Sequence, residues 1–324
     1  MLFSPIKSKL FLLMFRSLGL IQAILTNCTF CRHRQRLLYN FRMIAIIGAG
    51  LSGLVAGKVL HERNIDFQIL EASNSIGGRV KSQTLDGFIL DMGFQVLLTS
   101  YPQVKKHIDL AALKLETFIP GACIYQAPGK SALVVDPLRS PQHAFATLQA
   151  PIGSLADKLR ILWLRFQTDG AGLSAAQYLK QAGFSEAMIA SFFRPFFSGV
   201  FLERELRTSA DYFLFLFARF GEGLASLPSE GMQALPAQLA AVFHDKIRFN
   251  QKVSALAASD TSVSVTLANG EVQSFSEVIL AVDGEAARRL IPDIKLSEKK
   301  RTVSTVYFSA PQIPKSAQFL FLNG

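Results

Sequence analysis

The sequence has little cysteine and no long apolar run. Three cysteines among 324 residues are too few for the disulfide framework of a small secreted domain. No stretch reaches the roughly 18 uninterrupted apolar residues that a membrane-spanning helix needs. Because 50% of the residues are hydrophobic and only 18% are charged, the composition excludes a globally disordered chain. The length predicts one large or two medium folded domains.

Acidic residues are absent from the first 42 positions, which contain seven Lys or Arg. Removing those seven from the 34 basic residues leaves 27 basic against 24 acidic ones, so most of the net charge of +10 lies in this extension. A nucleic-acid-binding protein carries its basic stripe on the folded domain. The sequence therefore predicts no nucleic-acid partner.

The extension contains an apolar run, Leu10–Leu25, that is interrupted by Arg16 and flanked by basic residues. It fits a secretory or transit peptide, or an interfacial anchor that gives peripheral membrane contact. A third interpretation is a mis-assigned start, because Met43 directly precedes the first expected strand. The protein is expected to be cytoplasmic if Met43 is the start, and organelle-targeted or membrane-associated otherwise.

Metal-binding and catalytic side chains give only weak signals. Cys28, Cys31 and His33 form half of a zinc-site pattern, but no second ligand pair follows, so we favour chance and predict no metal site. No catalytic residue and no oligomeric state are predicted. The histidines show no spacing typical of a relay: His33, His61, His107, His143 and His244.

A dinucleotide-binding pattern begins at the apolar run Ile44–Ile47, which is typical of a buried parallel strand. The loop Gly48–Gly53 follows, with glycines for a tight turn, for close approach of a pyrophosphate and for helix packing. Glu71 ends a second strand, 18 positions after Gly53, where its carboxylate can accept bonds from ribose hydroxyls. Strand, loop, helix, strand and acid together predict a nucleotide site.

A second glycine-rich segment, Gly77-Gly78-Arg79, follows six positions after Glu71. Its backbone can lie against a phosphate, and the guanidinium can neutralise the phosphate charge. A nicotinamide dinucleotide does not need this additional contact, whereas FAD is longer. The segment therefore favours FAD over NAD.

These motifs resemble the flavin-containing amine oxidase superfamily, which includes phytoene desaturases and protoporphyrinogen oxidases. Later segments are similar to the same family, in the same order: DGFILDMGFQVL (Asp86–Leu97), LPSEGMQALPAQLA (Leu227–Ala240), IRFNQKVSAL (Ile247–Leu256) and VILAVDGEAARRL (Val278–Leu290).

The resemblance implies FAD as cofactor. Its pyrophosphate is expected on the glycine loop, its ribose on Glu71, its adenine at the backbone of Val253, and its isoalloxazine ring near Met92. The implied contact residues are Gly48, Ala49, Gly50, Leu51, Ser52, Gly53, Glu71, Ala72, Gly78, Arg79, Met92, Gly93, Phe94, Gln95, Val253 and Ala281.

The expected fold is α/β, with a Rossmann-like FAD-binding domain (βαβ with GxGxxG) and an inserted, mainly helical α+β substrate domain. The predicted boundaries are 1–42 for the extension, 43–98 and 225–290 for the FAD-binding domain, 99–224 for the insertion, and 291–324 for the start of a second substrate-domain segment.

Phenylalanine is concentrated in the insertion, with nine of the 27 between Phe192 and Phe220. Such a cluster forms either a tunnel for a lipophilic substrate or an ordinary aromatic core. We favour core packing for most of the individual rings, while the cluster as a whole favours an apolar small molecule as substrate. Within this region Pro195 and Gly199 are expected to break a helix, and Thr208–Asp211 resembles a capping box.

The expected function is that of an FAD-dependent oxidoreductase, in which flavin N5 accepts a hydride from a C–N or C–C bond of an apolar substrate. Family members are longer and end with a second cofactor motif, which is absent before Gly324. The resemblance therefore implies a chain truncated at its C-terminus. The alternatives are a catalytically inactive flavin-fold protein and an NAD(P)-binding oxidoreductase.

Overall fold

The computed structural model describes residues 10–12, 43–127, 130–297, 300–309 and 318–323. The interpretations of Cys28, Cys31 and most of Leu10–Leu25 lie outside these residues. The strands are β1 (Leu10–Leu12), β2 (Ile44–Ile47), β3 (Phe67–Leu70), β4 (Ser82–Leu85), β5 (Phe88–Asp91), β6 (Leu97–Leu98), β7 (Leu115–Thr117), β8 (Gly121–Ala127), β9 (Lys130–Val135), β10 (Ala225–Pro228), β11 (Ile247–Arg248), β12 (Val253–Ala258), β13 (Val263–Leu267), β14 (Val272–Phe275), β15 (Glu277–Leu280) and β16 (Leu320–Asn323).

The helices are α1 (Leu51–Glu62), α2 (Pro102–His107), α3 (Ala144–Gln149), α4 (Leu155–Leu164), α5 (Ala175–Gln181), α6 (Glu186–Met188), α7 (Arg194–Phe201), α8 (Ala210–Glu222), α9 (Ala234–Ala240) and α10 (Gly284–Leu290). Within the described ranges, no helix combines the length and the apolar character needed to span a membrane.

The chain divides into two compact units. Unit 1 contains Met1–Met92 and Glu230–Lys300, and unit 2 contains Gly93–Ser229 and Arg301–Gly324. The division lies near the predicted boundaries but differs in three places. Leu97–Leu98 and Ala225–Pro228 belong to unit 2, because β10 pairs with both β6 and β7 there. Residues 291–300 remain with unit 1, because Ile291 and Leu296 pack on its core.

Unit 1 is built on a parallel sheet with the strand order β1-β15-β2-β3-β11. In its centre Ile44 is opposite both Glu277 and Phe67. The inner residues Ala45, Ile46 and Ile47 are buried, as expected for a strand in the middle of a parallel sheet. This is the predicted βαβ unit, with β2, α1 and β3 in that order. An antiparallel sheet, β12-β13-β14, shares a hydrophobic core with β15 and α10.

Unit 2 combines helices with two three-stranded sheets, ordered β6-β10-β7 and β16-β8-β9. Helices α4 and α5 belong to this unit. Each helix begins with a capping box, in which Ser154 and Asp157, or Ser174 and Gln177, bond reciprocally. Unit 2 is therefore the α+β part of the fold.

Two expectations in the phenylalanine-rich region were wrong. Pro195 and Gly199 do not break the helix: α6 continues through a π-helical turn, Ile189–Phe193, into α7. Proline is tolerated because it lies in the first turn of α7. The cap of α8 is Ser209, whose hydroxyl accepts from the Asp211 amide, so the capping box does not begin at Thr208.

The phenylalanine cluster forms part of the core of unit 2. Phe193, Phe197 and Phe213 have no exposed surface. The rings of Phe197 and Phe213 meet edge-to-face with their centroids 4.7 Å apart, a favoured aromatic geometry. This confirms core packing for these rings.

Candidate cofactor site

The glycine loop follows the carboxyl end of β2 and requires glycine at two positions. Gly48 has φ +102°, and a Cβ there would lie 2.7 Å from the carbonyl oxygen of Ala281. A Cβ at Gly53 would lie 1.9 Å from the carbonyl oxygen of Gly48. The loop therefore folds tightly against the start of α1 and against Ala281, as the motif predicts.

Gly50 differs from its neighbours, because among the described residues, its own chain neighbours aside, no atom lies within 4 Å of a Cβ placed there. It is the N-cap of α1, and no side chain caps that helix among the described residues. Leu51, Ser52 and Gly53 begin the helix, where backbone amides lack intrahelical partners and the dipole favours anions. The open surface at Gly50 and these amides fit a pyrophosphate.

Glu71 lies directly after β3 and bonds to the loop. Its Oε2 accepts from the amide of Ala49 at 2.7 Å. Its Oε1 accepts from the amide and the hydroxyl of Ser73 at 2.8 and 2.7 Å. Because a carboxylate oxygen has two acceptor sites, Oε2 can accept one further bond, for example from a ribose hydroxyl. Ala72, which lies between Glu71 and Ser73 in the sequence, is exposed.

The second glycine pair lies against the first loop. Gly77 forms a parallel bridge with Gly50, and its amide donates to the carbonyl of Ala49 at 2.8 Å. A Cβ at Gly78 would lie 3.3 Å from Gly50 Cα. Arg79 follows and is exposed. The structure therefore brings both glycine motifs together, with a cation next to them.

Two later segments reach the same part of unit 1. The Glu71 amide donates to the carbonyl of Arg248, and the Gln251 amide donates to the carbonyl of Glu71. Val253 begins β12 two residues later. The Ala281 amide donates to the carbonyl of Ile47, at the strand end that carries the glycine loop.

Four residues were predicted to contact the isoalloxazine ring, Met92 to Gln95, and only the first of them lies in the same unit as the glycine loop. Met92 follows the β4–β5 hairpin in unit 1, and 60% of its surface is exposed. Gly93, Phe94 and Gln95 belong to unit 2. Their contact with an isoalloxazine ring stays a prediction.

The residues that hold the β4–β5 hairpin in place were not predicted from the sequence. Ser82 donates to Asp91 at 2.6 Å, and the amides of Met232 and Gln233 donate to Asp91 and Ser82. Gly231, with φ +80°, permits this close approach, since its Cβ would lie 2.5 Å from the Ser82 hydroxyl. No spacing rule links residues so far apart in sequence.

Unit 2 contains a separate cavity of about 260 Å³. Its lining is largely apolar and includes side chains from β9, α4, α7, α8 and the π-helical turn, among them the rings of Phe192, Phe196, Phe217 and Phe220. The phenylalanine cluster thus forms part of a cavity wall as well as a core. Within the described ranges, no group of three or more His, Cys, Asp or Glu could hold a metal ion.

Comparison with known proteins points to one family. A family model described as flavin containing amine oxidoreductase matches residues 51–311. L-amino acid oxidase Bs29 of Bothriechis schlegelii is 25% identical over 287 residues, which are 81% of this chain and 56% of that protein. Protoporphyrinogen oxidase 2, chloroplastic/mitochondrial, of Arabidopsis thaliana is 24% identical over 172 residues, which are 49% of this chain and 32% of that protein.

The fold is also similar to that of solved structures. A putrescine oxidase double mutant superposes with a TM-score of 0.58 at 20% identity, covering 78% of this chain and 61% of that one. At that identity the likeness concerns the fold alone, which is the expected α/β fold of FAD-dependent oxidases. The chain spans about half the length of the L-amino acid oxidase that it matches.

Proposed function

This chain belongs to the flavin-containing amine oxidoreductase family, and we propose that it acts as an oxidoreductase on a largely apolar small molecule. Its cofactor is FAD. The observation that supports the proposal best is that the second glycine motif, Glu71 and Ala281 all contact the loop Gly48–Gly53, whose surface at Gly50 is open.

The residues of unit 1 fit the adenosine half of FAD. The amides at the start of α1 would bind the pyrophosphate, Glu71 Oε2 would accept from the ribose, and Arg79 would neutralise phosphate charge. Val253 would present its backbone to the adenine. These assignments extend the family relationship to individual residues.

FAD, when bound, supplies a hydride acceptor at N5 of its isoalloxazine ring. The proposed reaction oxidises a C–N or C–C bond of the substrate. Hydride loss from a neutral amine leaves an iminium ion and needs no base, whereas oxidation of a C–C bond also releases a proton, which water would accept. The protein then has to position the substrate, and no side chain is assigned as a dedicated acid or base. This agrees with the lack of a relay pattern among the histidines.

An apolar substrate is favoured by the cavity in unit 2. Its wall is largely hydrocarbon and aromatic, and such cavities bind apolar ligands through burial of surface. The matched relatives are named for small molecules, an L-amino acid and protoporphyrinogen. The apolar class is our proposal for this chain.

The test begins with the purified full-length chain. We expect a yellow protein that releases FAD on heating, and loss of flavin absorbance on anaerobic mixing with an apolar substrate. Dodecylamine would probe a C–N bond and dodecanoic acid a C–C bond. A colourless protein that instead binds NAD(P) tightly would contradict the proposal. A flavin that neither compound reduces would favour an inactive flavin-binding protein.

A further inference from the structure

We propose that the cavity in unit 2 binds a single unbranched hydrocarbon chain that ends in a carboxylate, such as a medium-chain fatty acid. The inference names a substrate class for the proposed oxidoreductase and rests on that function for its catalytic meaning. The binding itself depends on unit 2 alone, because every residue that lines the cavity belongs to that unit.

The cavity has a buried base and an exposed rim. Met188 and Phe197, which line it, are 1% and 0% exposed. Leu148, Leu155 and Leu159 also line it, and each has more than half of its surface exposed. The cavity therefore extends from the aromatic core to solvent. This shape suits a molecule with one apolar end and one end in water.

The apolar wall gives the tail its affinity. Burying hydrocarbon against it is favourable by about 25 cal/mol per Å² of surface removed from water. The volume of about 260 Å³ lies close to the lower end of ligand pockets, roughly 300 Å³. The space suits a single chain better than a branched or multi-ring molecule.

The charged residues that line the cavity are mainly cations. Arg165 pairs with Asp136 at 3.1 Å, and Arg139 donates to the carbonyls of Phe220 and Gly223. Three basic side chains and one acidic one line the cavity: Arg139, Arg165, Lys158 and Asp136. The local charge therefore favours an anionic ligand.

Lys158 is the cation that we expect to pair with the carboxylate of the bound ligand. Its ammonium donates to the carbonyls of Leu148 and Ala150 at 2.8 and 2.9 Å. An ammonium has three N–H donors, so one remains beyond these two bonds. Among the described residues, Lys158 forms no ion pair. It lies between two rim leucines in sequence, at the exposed end of the cavity.

The experiment measures binding of the fluorescent probe trans-parinaric acid, an unbranched polyene chain that ends in a carboxylate, to the full-length protein with FAD bound. We expect one probe per chain, displaced by dodecanoic acid and more weakly by dodecanol. Flavin content is measured on the same sample. Loss of flavin with retained probe binding would contradict the proposed function only, and normal flavin without probe binding would contradict this inference only.

Two variants have matched controls. Leu159→Glu places an anion at the rim and should weaken binding of dodecanoic acid at least about ten-fold, since like charges repel where screening is incomplete. Leu138→Glu makes the same change at a residue that is 70% exposed and does not line the cavity, so it should leave binding unchanged.

Lys158→Met should weaken the binding of dodecanoic acid up to about five-fold, as expected for the loss of a partly exposed ion pair. It should leave the binding of dodecanol unchanged. Lys180→Met is its control, because Lys180 pairs with Glu186 on the surface of the same unit. Thermal melting shows that each variant is folded. Equal binding by all four variants, or equal affinity for the acid and the alcohol, would overturn the proposal.

Discussion

The carboxylate of Glu71 accepts a hydrogen bond from the amide of Ala49 at 2.7 Å. This bond joins the acid after β3 to the glycine loop after β2, across 22 residues of sequence. Because its other oxygen bonds Ser73, Glu71 fixes the loop as well as offering an acceptor to a ligand. Its removal should therefore change both flavin binding and stability.

Glu71→Ala should weaken FAD binding at least about ten-fold, since hydrogen bonds to a charged group contribute about 1.5–3 kcal/mol. It should also lower the thermal midpoint, because the Ala49 and Ser73 amides lose their acceptor. The measurement is flavin released on heating per mole of protein, together with a thermal melt. Glu62→Ala is the control, since Glu62 lies on the surface and pairs there with Lys58 at 3.7 Å. Unchanged flavin content in Glu71→Ala would refute the assignment.

Gly50→Ala should fold normally and lose FAD. In the part of the chain that the structure describes, nothing beyond the adjacent residues lies within 4 Å of the new methyl group, and the backbone at Gly50, with φ −72°, accepts alanine. The methyl group would occupy the surface that we assign to the pyrophosphate, so FAD affinity should fall at least about ten-fold.

Gly199→Ala is a matched control, because within the described ranges its added Cβ also meets no atom within 4 Å outside its own helix backbone and chain neighbours. Both variants should melt near the parent temperature, and only Gly50→Ala should be depleted of flavin. Equal flavin content in the two would show that nothing binds against Gly50.

Arg79→Ala should weaken FAD binding about ten- to a hundred-fold, through loss of charged hydrogen bonds to a phosphate. Arg79→Lys should recover part of the affinity, because the charge remains while the planar, two-pronged geometry is lost. Titration of the flavin-free protein with FAD at low and high salt measures the effect. Arg63→Ala, at an exposed position that ends α1, should bind FAD normally. If added salt weakens parent and Arg79→Ala equally, Arg79 does not contact a phosphate.

The cofactor loop could be predicted because its signals are local. Gly48, Gly53 and Glu71 occupy positions that backbone geometry dictates, and each is placed as the spacing predicts. The capping boxes at Ser154 and Ser174 are equally local, since each is contained within four residues, but they were not predicted.

The other features that were not predicted depend on contacts between residues that lie far apart in the sequence. β10 pairs with β6 across more than 120 residues, which moves the unit boundary from Leu224 to Ser229. The continuous helix through Pro195 depends on a π-helical turn that no composition rule indicates. The cavity likewise requires β8 and α4 to meet α7 and α8. Single-sequence patterns do not encode such pairings.

One of these distant contacts concerns Asp157, which is fully buried beneath the exposed face of α4. Its Oδ1 accepts from the Ser185 amide at 2.8 Å, and its Oδ2 accepts from the hydroxyls of Ser154 and Ser185 at 2.8 and 2.7 Å. Burial alone would raise the pKa of Asp157, but hydrogen bonds from Ser154 and Ser185 lower it to about 2. The Asp157 carboxylate, which lies on α4, therefore joins this helix to the start of α6 through hydrogen bonds.

Asp157→Asn should destabilise unit 2 by about 2–3 kcal/mol, because an amide nitrogen cannot accept the bonds that one carboxylate oxygen accepts now. Trp163, the only tryptophan, lies on α4 and reports its unfolding in urea. Asp260→Asn, at an exposed position in unit 1, should leave that transition unchanged.

The pH dependence follows from the same carboxylate. Because the folded pKa is depressed, the stabilisation by Asp157 is fully present above the unfolded pKa of about 3.9 and is lost as the pH falls towards about 2. The difference in unfolding free energy between the parent and Asp157→Asn should therefore be constant from neutral pH to about pH 5 and shrink below it. A difference that stays constant into strong acid would mean that Asp157 has the same pKa in the folded and the unfolded chain, so that its bonds with Ser154 and Ser185 do not favour the ionised carboxylate.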